Sequence, residues 1–543
     1  MLHSSEDIKR FKVFFSLATG YKDPFDWQLE VAKRILEMDR GILSITAETG
    51  SGKTEAVVIP SLYRGRQVIV VEPYRALIED MIDRFKSMLS RLSKFLGIPY
   101  ALGVDYGGEH FVYECVNGEC HEVLTRKPFG TDILLTTMDE MLYRLLSVGP
   151  ERKASLYAVL VRMGTPIVFF DEVHSYSTEV ANPLVTLIYE VVSLALYTPV
   201  VIASATLPDV LIGHIRLLAE RDGLPFTKYA TSSKPKKTNK ATIHVRVDNV
   251  GVSTILDAVE ELAGRGYRTI LVRVVMPERA YEVYSSLLAR FVGKYSIGVL
   301  HGRMPTRDRA EVFRALKNDM KNGESVVFVA TQAIEAGVDL DFDAGVLELT
   351  PYRSLEQTLG RVNRQYMKNA EVVIVGTDEG TWSLLASSEY LERVKQILKE
   401  KYRSSSTLIW EDLALELKKI DEDYTRKLLS TSSLLDMYDS PYSRLLAVSF
   451  YSLFHLEGTM LEYLVALSRD TYETRGSLDI VVEVENEPSN YLRVPVSIAK
   501  KLAENGVKIE DRGTIPKDML KSHNYIRRSR EVVKARGLVI TTP

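Results

Sequence analysis

Short apolar runs typical of buried strands alternate with helical patterns from residue 27 to about residue 378. This alternation indicates α/β domains built on parallel sheets. The runs that predict a first sheet are GILSITAE, QVIVVEP, DILLTT, IVFFDE and VVIASATL. A second series consists of TIHVRV, RTILVRVV, YSIGVLHG, SVVFVAT, AGVLEL and EVVIVGT. The polar, proline-containing segment 231–240 lies between the two series and is typical of a linker.

The length of 543 residues is too great for a single hydrophobic core. We expect a first domain in residues 1–230, a second in residues 231–380 and an accessory domain in residues 381–543. The accessory domain is predicted to be mostly helical, because VSFYSLFHLEGTMLEYLVALS has apolar residues at helical spacing. The predicted fold class is therefore α/β, with two tandem parallel-sheet domains and a mostly helical C-terminal addition.

The charge and hydropathy of the chain restrict its partners. Formal net charge is -3, with 69 basic and 72 acidic residues, so a nucleic-acid surface would have to be local. The longest nearly charge-free run, residues 191–208, contains Pro199 and is too short to span a membrane. The N-terminus lacks the features of a signal peptide. We expect a cytoplasmic protein that does not bind a membrane.

Two cysteines, Cys115 and Cys120, lie in the segment YECVNGECHE, with His121 adjacent. A zinc site usually needs a second pair of cysteine or histidine ligands at fixed spacing, and the sequence offers none. The intervening Asn-Gly is a hairpin-turn signal. Inert thiols and a disulfide across the hairpin both remain open.

The segment AETGSGKTEA, residues 47–56, follows a predicted strand and precedes a predicted helix. This is the pattern of a phosphate-binding loop, in which glycines let backbone N–H groups approach the phosphates and the helix N-terminus adds positive charge. Lys53 would neutralise β- and γ-phosphate oxygens of ATP, and Thr54 would ligate Mg²⁺. The loop residues expected to contact the nucleotide are Thr49, Gly50, Ser51, Gly52, Lys53 and Thr54.

The stretch VFFDEVHSYS ends an apolar strand in two adjacent carboxylates, Asp171 and Glu172. Ligands of open α/β sheets bind at the carboxyl ends of the strands. Asp171 is predicted to hold Mg²⁺, usually through water, and Glu172 to orient or deprotonate the water that attacks the γ-phosphate. Such a pair on its own could equally be an ordinary polar strand end, but downstream of a phosphate loop it indicates catalysis.

Two further segments carry polar side chains suited to ATP. PFDWQLEVAKRIL places Gln28 at the start of an amphipathic helix, where its amide could read an adenine edge. QTLGRVNR contains Gln357, Arg361 and Arg364, and the two arginines lie one helical turn apart. Guanidinium groups suit the charge that develops on a transferring phosphoryl group. Phosphate-handling residues in both domains imply a cleft that closes on ATP.

The order of these motifs resembles that of superfamily 2 helicases of the DExH type, over about two-thirds of the chain. That family has two RecA-like domains. The matching segments are AETGSGKT, EPYRAL, TTMD, DEVH, SATLP, LHGRMP, ATQAIEAGVDLD and QTLGRVNR, which correspond to motifs I, Ia, Ib, II, III, IVa, V and VI. The resemblance implies nucleic-acid-dependent ATP hydrolysis with ATP and Mg²⁺ as cofactors.

Within this class, DEVHSY, ATQAIEAGVDLDFD and GRVNR resemble the CRISPR-associated helicase of type I interference systems. Asn363 is the informative residue, because most DExH relatives have glycine there. The resemblance gives Gly337 and Asp339 a role at the nucleotide and makes Arg361 and Arg364 arginine fingers. It assigns coupling of hydrolysis to strand movement to His174, Ser204 and Thr206. It assigns contacts with the nucleic-acid backbone to Arg75, Thr137 and Thr331.

Full-length members of that family begin with a metal-dependent HD nuclease, which needs a His-Asp dipeptide. None of the nine histidines of this sequence precedes an aspartate. The chain therefore resembles the split form, in which the nuclease is a separate polypeptide and both proteins join an RNA-guided surveillance complex. The expected protein has no nuclease activity of its own.

The predicted function is ATP-driven movement along single-stranded DNA in the 3′ to 5′ direction, which delivers the displaced strand to that nuclease. Two alternatives remain open at this stage. One is a DExH helicase of DNA repair or RNA metabolism, which has the same ATPase but different partners. The other is an ATP-gated scaffold that holds the nuclease and the surveillance complex without translocating.

Overall fold

The structure is a computed structural model that describes most of residues 4–428 and five strands beyond them. Within 4–428 it leaves out 48–50, 107–108, 124–127, 142–165, 174–186, 205–208, 232–240, 335–339, 364–369, 383–384 and 405–407, and single positions 22, 74, 139, 189, 193, 292, 303 and 305. The chain forms two compact units, one containing Met1–Pro235 and the other Lys236–Tyr424 with the strands after Ser477. No helix in the described ranges is long and apolar enough for a membrane span.

The first unit is built on a nine-stranded sheet in the order β5-β4-β3-β6-β2-β7-β8-β1-β9. Neighbouring strands from β3 to β9 in this order are parallel, whereas β4 and β5 are antiparallel additions at one edge. The strands are β1 (Gly41–Thr46), β2 (Val68–Glu72), β3 (Tyr100–Tyr106), β4 (Glu109–Val116), β5 (Glu119–Glu122), β6 (Ile133–Thr137), β7 (Ile167–Phe170), β8 (Pro199–Ser204) and β9 (Phe226–Ala230).

The central strands of this sheet are apolar on both faces because helices cover both faces. Every residue of β2, β6, β7 and β8 is buried. Such continuous apolar strands are characteristic of parallel sheets. The register pairs Thr46 with Ser204 and Val71 with Phe170, so the strands that carry the predicted motifs end at one edge.

The helices of the first unit are α1 (Ser5–Thr19), α2 (Asp26–Glu37), α3 (Lys53–Tyr63), α4 (Arg75–Leu96) and α5 (Asp209–Arg221). Helix α1 starts with a capping box between Ser4 and Asp7 and ends at Gly20, which has a φ of 78°. Helix α4 packs on β3 and β4 and buries Phe85, Leu89 and other apolar residues. The amphipathic spacing of these helices explains why they lie on the sheet.

The second unit contains six neighbouring parallel strands in the order β10-β15-β14-β11-β13-β12. They are β10 (Thr242–Val250), β11 (Thr269–Arg273), β12 (Ser296–Leu300), β13 (Val326–Ala330), β14 (Ala344–Glu348) and β15 (Glu371–Gly376). The short strand β16 (Leu408–Ile409) pairs antiparallel with β10. Each of the two sheets thus matches one of the predicted series of apolar runs, and the predicted α/β class is confirmed.

Helices pack against this second sheet and against each other beyond it. They are α6 (Val252–Gly264), α7 (Pro277–Arg290), α8 (Thr306–Lys321), α9 (Tyr352–Leu359), α10 (Glu379–Trp382), α11 (Ser388–Ser404) and α12 (Trp410–Leu428). The apolar faces of α9, α11 and α12 belong to one core cluster with strands of the sheet. The motif VI segment and the accessory helices are therefore parts of a single packed body.

The C-terminal region combines helices with strands. Its described elements are helices, with the short strand β16 between them, as far as Leu428, and strands from Asp479 onward. Strands β17 (Asp479–Val484), β18 (Tyr491–Pro495) and β19 (Thr514–Ile515) form a small separate sheet. Strands β20 (Lys521–Ile526) and β21 (Val532–Gly537) extend the second sheet antiparallel from β12. The apolar stretch on which the helical prediction mainly rested lies outside the described residues.

The β4–β5 hairpin contains the two cysteines. Asn117 and Gly118 both have positive φ, 52° and 92°, as a two-residue hairpin turn requires. Cys115 and Cys120 face each other across the two strands and are joined by a disulfide. Of the two possibilities that the sequence leaves open, the structure has the bonded hairpin.

The disulfide predicts a thiol-free protein as purified. Under denaturing conditions without reductant, iodoacetamide should modify neither Cys115 nor Cys120, and reduction should expose both. Because the bond closes only a short loop, replacing both cysteines with alanine should lower the free energy of unfolding by about 2 kcal/mol. Mass spectrometry and urea unfolding measure the two effects. Full modification before reduction would contradict the bonded hairpin.

Candidate active site

The predicted phosphate loop joins the carboxyl end of β1 to the start of α3, as its sequence indicates. Gly52 stands at the N-terminus of α3 with a φ of 86°, in the left-handed region that favours glycine. A Cβ atom at this position would lie 2.5 Å from Nε2 of Gln28. Glycine is therefore favoured at position 52 by the backbone conformation, and a larger residue would also displace the amide of Gln28. Thr49 and Gly50 lie outside the described residues.

Gln28 is buried and connects α2 to the phosphate loop. Its Oε1 accepts a hydrogen bond of 2.9 Å from the N–H of Phe25, and its Nε2 donates one of 3.0 Å to the carbonyl of Gly52. Trp27 packs against the core of this unit, and the side chain of Phe25 is exposed. The amide thus fixes the end of the loop from outside, and its predicted contact with adenine stays a prediction.

Lys53, Thr54, Asp171 and Glu172 come together at the sheet edge. The ammonium of Lys53 donates to the carbonyl of Ala47 at 3.2 Å and lies 3.6 Å from Oε1 of Glu172. The hydroxyl of Thr54 donates to Oδ2 of Asp171 at 2.9 Å. The two motifs are separated by more than a hundred residues. They come into direct contact because the strands before them, β1 and β7, both pair in parallel with β8.

The two carboxylates after β7 are held in unusual surroundings. Burial and the neighbouring charge of Glu172 raise the pKa of Asp171 to about 6, against the opposing effect of Lys53. Oδ1 of Asp171 accepts the N–H of Glu172 at 2.8 Å. Glu172 itself has a φ of 45°, which is uncommon for a residue with a side chain. Strain and perturbed pKa values of this kind are concentrated at functional sites.

The oxygen atoms of this cluster are suited to Mg²⁺. The hydroxyl of Thr54 and a carboxylate oxygen of Asp171 are already within 2.9 Å of one another, so one cation could contact both. Mg²⁺ prefers hard oxygen ligands and is commonly held by one or two protein groups together with phosphates and water. Thr54 and Asp171 are therefore the pair that fits the predicted metal site.

A third carboxyl group, which the sequence analysis does not select, belongs to the same cluster. Glu72 ends β2 and is fully buried, and neither of its carboxylate oxygens has a hydrogen-bond partner within the described residues. Burial raises the pKa of Glu72 well above its ordinary value, and the charges of Asp171 and Glu172 add to the effect. The run VIVVEP carries the same signal as the DEVH strand, a carboxylate that directly follows buried β residues.

Other predicted residues of the first unit lie at the ends of neighbouring strands. Ser204 is the buried last residue of β8, and its carbonyl accepts the N–H of Ala47 at 3.2 Å. Thr137 ends β6 opposite Glu72, and α4 begins at Arg75 just after β2. Motifs Ia, Ib and III thus share the sheet edge with the phosphate loop. His174 and Thr206 lie outside the described residues.

In the second unit, α9 carries Gln357 and ends at Leu359, so Arg361 follows the helix after Gly360; Gln357 and Arg361 are both half-buried. The prediction that Arg361 and Arg364 lie one helical turn apart is therefore wrong, because the chain leaves the helix before Arg361 and turns at Asn363. Asn363 is buried and has a φ of 51°. Its N–H donates to the carbonyl of Phe342 at 2.8 Å, and the N–H of Phe342 donates to the carbonyl of Arg361 at 2.9 Å. The left-handed conformation explains why asparagine can replace glycine here, since these two residues tolerate it best.

Thr331 is buried just after β13, and its N–H donates to the carbonyl of Leu300 at 3.0 Å. It therefore lies at the carboxyl end of the second sheet, and its contact with nucleic acid stays a prediction. Gly337, Asp339 and Arg364 lie outside the described residues.

Known protein families match two parts of this sequence. Residues 25–212 match the DEAD/DEAH box helicase family, and residues 266–367 match the family described as CRISPR-associated nuclease/helicase Cas3, C-terminal. The CRISPR-associated helicase Cas3 of Thermoproteus tenax is 26% identical over 501 residues, which cover 88% of this chain and 75% of that protein.

A second relative and a solved structure extend the likeness. The CRISPR-associated nuclease/helicase Cas3 of Methanothermobacter thermautotrophicus is 22% identical over 434 residues, 76% of this chain. The chain covers 49% of that protein's length. The crystal structure of T. fusca Cas3-ATP resembles the fold with a TM-score of 0.60 and 16% identity, over 96% of this chain and 69% of that one.

In its fold, motif positions and family matches, the chain resembles helicases of the DEAD/DEAH box class, which have two RecA-like sheets. Within that class the chain is similar to the Cas3-type CRISPR-associated helicases over most of its length, and the resemblance stated from its motifs is confirmed.

The conformation of Asn363 predicts a specific order of variant stabilities. Asn363→Gly should unfold at nearly the same urea concentration as the wild type, because glycine adopts positive φ without strain. Asn363→Val should lower the free energy of unfolding by about 1–2 kcal/mol. Asn322→Val, at an exposed turn outside the left-handed region, is the control. Equal stabilities for the glycine and valine variants at position 363 would contradict the assignment.

The surroundings of Glu72 predict that its removal stabilises the protein in the absence of Mg²⁺ and nucleotide. Glu72→Met should raise the free energy of unfolding by about 1–3 kcal/mol near pH 8, because the carboxyl is buried and has no hydrogen-bond partner in the part of the chain that the structure describes. The pKa of Glu72 in the folded protein lies above its ordinary 4.5, so at high pH the ionised carboxylate destabilises the folded state. The stability gained by Glu72→Met should therefore shrink as the pH falls toward 4.5. Urea unfolding at several pH values measures both effects.

Glu348 is the matched control for this experiment. It is equally buried at the end of β14, but its carboxylate accepts the N–H of Val275 at 2.7 Å and lies 3.3 Å from the guanidinium of Arg279. Glu348→Met should therefore lower the free energy of unfolding by about 1–3 kcal/mol. Equal losses of stability in Glu72→Met and Glu348→Met would contradict the claim that buried Glu72 destabilises the folded protein.

Proposed function

We propose that this chain is an ATP-dependent translocase on single-stranded DNA that acts as the helicase of a type I CRISPR interference complex. The observation that carries the proposal is the contact of Lys53 and Thr54 with Glu172 and Asp171 at one sheet edge. This is the set of groups that ATP hydrolysis at a phosphate loop requires. The solved T. fusca relative is an ATP complex, which supports ATP as the nucleotide.

Each residue of the cluster has a separate role in the proposed hydrolysis. Lys53 would exchange its contact with Ala47 for phosphate oxygens, and the N-terminus of α3 would bind the same group. Glu172 would orient and deprotonate the attacking water. Thr54 and Asp171 would hold Mg²⁺, which neutralises phosphate charge when it is bound.

The second unit would supply the remaining contacts to the transferring phosphoryl group. Gln357 lies on α9, and Arg361 follows that helix at its end. Arg361 and Arg364 would stabilise the negative charge that develops in the transition state. Gly337 and Asp339 would contact the nucleotide. These assignments follow the family resemblance, and each can be tested by substituting the residue.

Movement along DNA would use residues at the same sheet edges. Arg75 and Thr137 in the first unit and Thr331 in the second would contact the backbone of the strand, and the family implies the 3′ to 5′ direction. His174, Ser204 and Thr206 would couple hydrolysis to this movement. Ser204 is well placed for that role, because its carbonyl contacts Ala47 at the start of the phosphate loop. Backbone contacts predict binding that tolerates sequence and weakens with salt.

The proposed partners are an RNA-guided surveillance complex and a separate HD nuclease. We propose a nuclease on another polypeptide because the sequence resembles the split form of this family. The name of the Thermoproteus relative is that of a helicase, whereas the Methanothermobacter relative, which this chain covers by about half, is a nuclease/helicase. Binding of the chain to an HD nuclease and to a guide complex on DNA tests this part of the proposal.

The central prediction concerns Glu172. Glu172→Gln should lower kcat for ATP hydrolysis at least about 10²-fold, because the amide cannot take a proton from water. Nucleotide affinity should be unchanged, since Lys53 and the loop remain. The measurement is phosphate release with Mg²⁺, in the absence of nucleic acid and with single-stranded DNA or RNA, next to the binding of a fluorescent ADP.

Glu30→Gln serves as the control, because Glu30 is an exposed glutamate of the same unit whose partner is Lys33. It should hydrolyse ATP at the wild-type rate. Stimulation by single-stranded RNA and not by DNA would replace the proposal with an RNA helicase. Binding of ATP without turnover under every condition would replace it with the ATP-gated scaffold.

A further inference from the structure

The motif VI helix α9 is short and is held by contacts from outside itself. Eight residues are too few for a helix to be stable alone, so its position depends on packing. Leu355 and Leu359 are buried in the core cluster that also contains Leu413 and Leu417 of α12. From the side of the sheet, Nη2 of Arg273 donates to Oγ of Ser354 at 2.8 Å. Further polar contacts come from the accessory helices.

Asp421 of α12 is the centre of those contacts. It is buried, and both of its carboxylate oxygens are used. Oδ2 lies 2.8 Å from Nε of Arg353 on α9, and Oδ1 accepts the hydroxyl of Tyr390 on α11 at 3.2 Å. The same Tyr390 hydroxyl accepts the N–H of Tyr352 at 3.1 Å. Tyr352 is the first residue of α9, where helical N–H groups lack a partner within the helix. The accessory helices thus complete the N-terminus of the motif VI helix.

Aromatic rings pack beside this chain of polar contacts, and Tyr352, Tyr390 and Asp421 are all buried. The rings of Tyr352 and Trp410 stack at 6.3 Å between centroids, and those of Trp382 and Tyr390 at 6.2 Å. Tyr424 contacts Tyr390 at 4.9 Å. A buried ion pair contributes little net stability compared with apolar packing. Removing one partner nevertheless lowers the free energy of unfolding strongly, because the other charge is left buried and unpaired. A pair of this kind therefore defines a position better than it stabilises a fold.

We propose that Asp421 is a positioning residue that fixes α9, and through it Gln357 and Arg361, in the geometry needed for ATP turnover. This inference rests on the proposed function, because it assigns motif VI a part in hydrolysis. It makes the accessory helices α11 and α12 a structural requirement for the rate of the ATPase. Asp421 acts through Arg353 and Tyr390 and does not itself contact the nucleotide.

The test replaces Asp421 with the isosteric asparagine in the full-length chain. Asp421→Asn should lower the kcat for ATP about tenfold or more, because displacements near 1 Å at a catalytic group can cost 10²-fold. The KM for ATP and the affinity for fluorescent ADP should change less than about twofold, since the phosphate loop is untouched. Asp423→Asn is the control, because Asp423 is half-exposed and its ion pair with Arg393 is long, at 3.9 Å. It should behave as the wild type.

Tyr390→Phe provides a second, milder variant that keeps the ring and removes only the hydroxyl. It should lower kcat in the same direction as Asp421→Asn without a matching loss in Tm. An unchanged kcat in Asp421→Asn would overturn the inference. So would losses in both variants that vanish when the rate is divided by the folded fraction.

Hydrogen exchange separates this inference from the proposed function. Asp421→Asn should increase amide exchange in residues 352–363 and leave α3 protected as in the wild type. If the wild type shows no ATPase activity but this local change is found, the proposed function fails and the positioning role of Asp421 is retained. Unchanged exchange in residues 352–363 would overturn the positioning role, whatever the activity of the wild type.

Discussion

The parallel register of β1, β8, β7 and β2 is the constraint on which the candidate active site depends. It aligns Thr46 with Ser204 and Val71 with Phe170, so the residues that follow these strands meet at one edge. The hydrogen bond between Thr54 and Asp171 exists because two distant chain segments end there. A slip of one residue would turn each strand's side chains to the opposite face and separate the motifs. The chemistry of the site is thus a consequence of sheet packing.

Much of this arrangement could be predicted from the sequence, because it depends on local patterns. Continuous apolar runs followed by polar residues predicted five strands of the first sheet and six of the second, but not β3 or β9. The loop between β1 and α3 was recognisable from its glycines and Lys53. The hairpin signal at Asn117 and Gly118 was also local. The path of the C-terminal region was not, since β20 and β21 join a sheet whose other strands lie far earlier in the chain. Short strands with few apolar residues give little signal of the strand that they will join.

The residues that the sequence did not single out are those whose importance comes from burial. Asp421 and Asp423 are two positions apart on one amphipathic helix, and the amino-acid sequence alone does not distinguish their roles. Only the packed structure shows that Asp421 is buried against Arg353 and Tyr390, whereas Asp423 is in contact with solvent. Glu72 was partly predictable, because the sequence shows that it follows four β-branched residues. Its proximity to Asp171 required the pairing of β2 with β7.

The pairing of β12 with β20 has a consequence for synthesis on the ribosome. About 220 residues separate Leu300 from Lys521, so translation at about 5–20 residues per second leaves the edge of β12 uncovered for at least ten seconds or so. An open strand edge can pair with any other extended chain. The nascent second sheet is therefore exposed to misassembly during that interval, and slow translation or a chaperone that covers the edge would determine the yield of native protein.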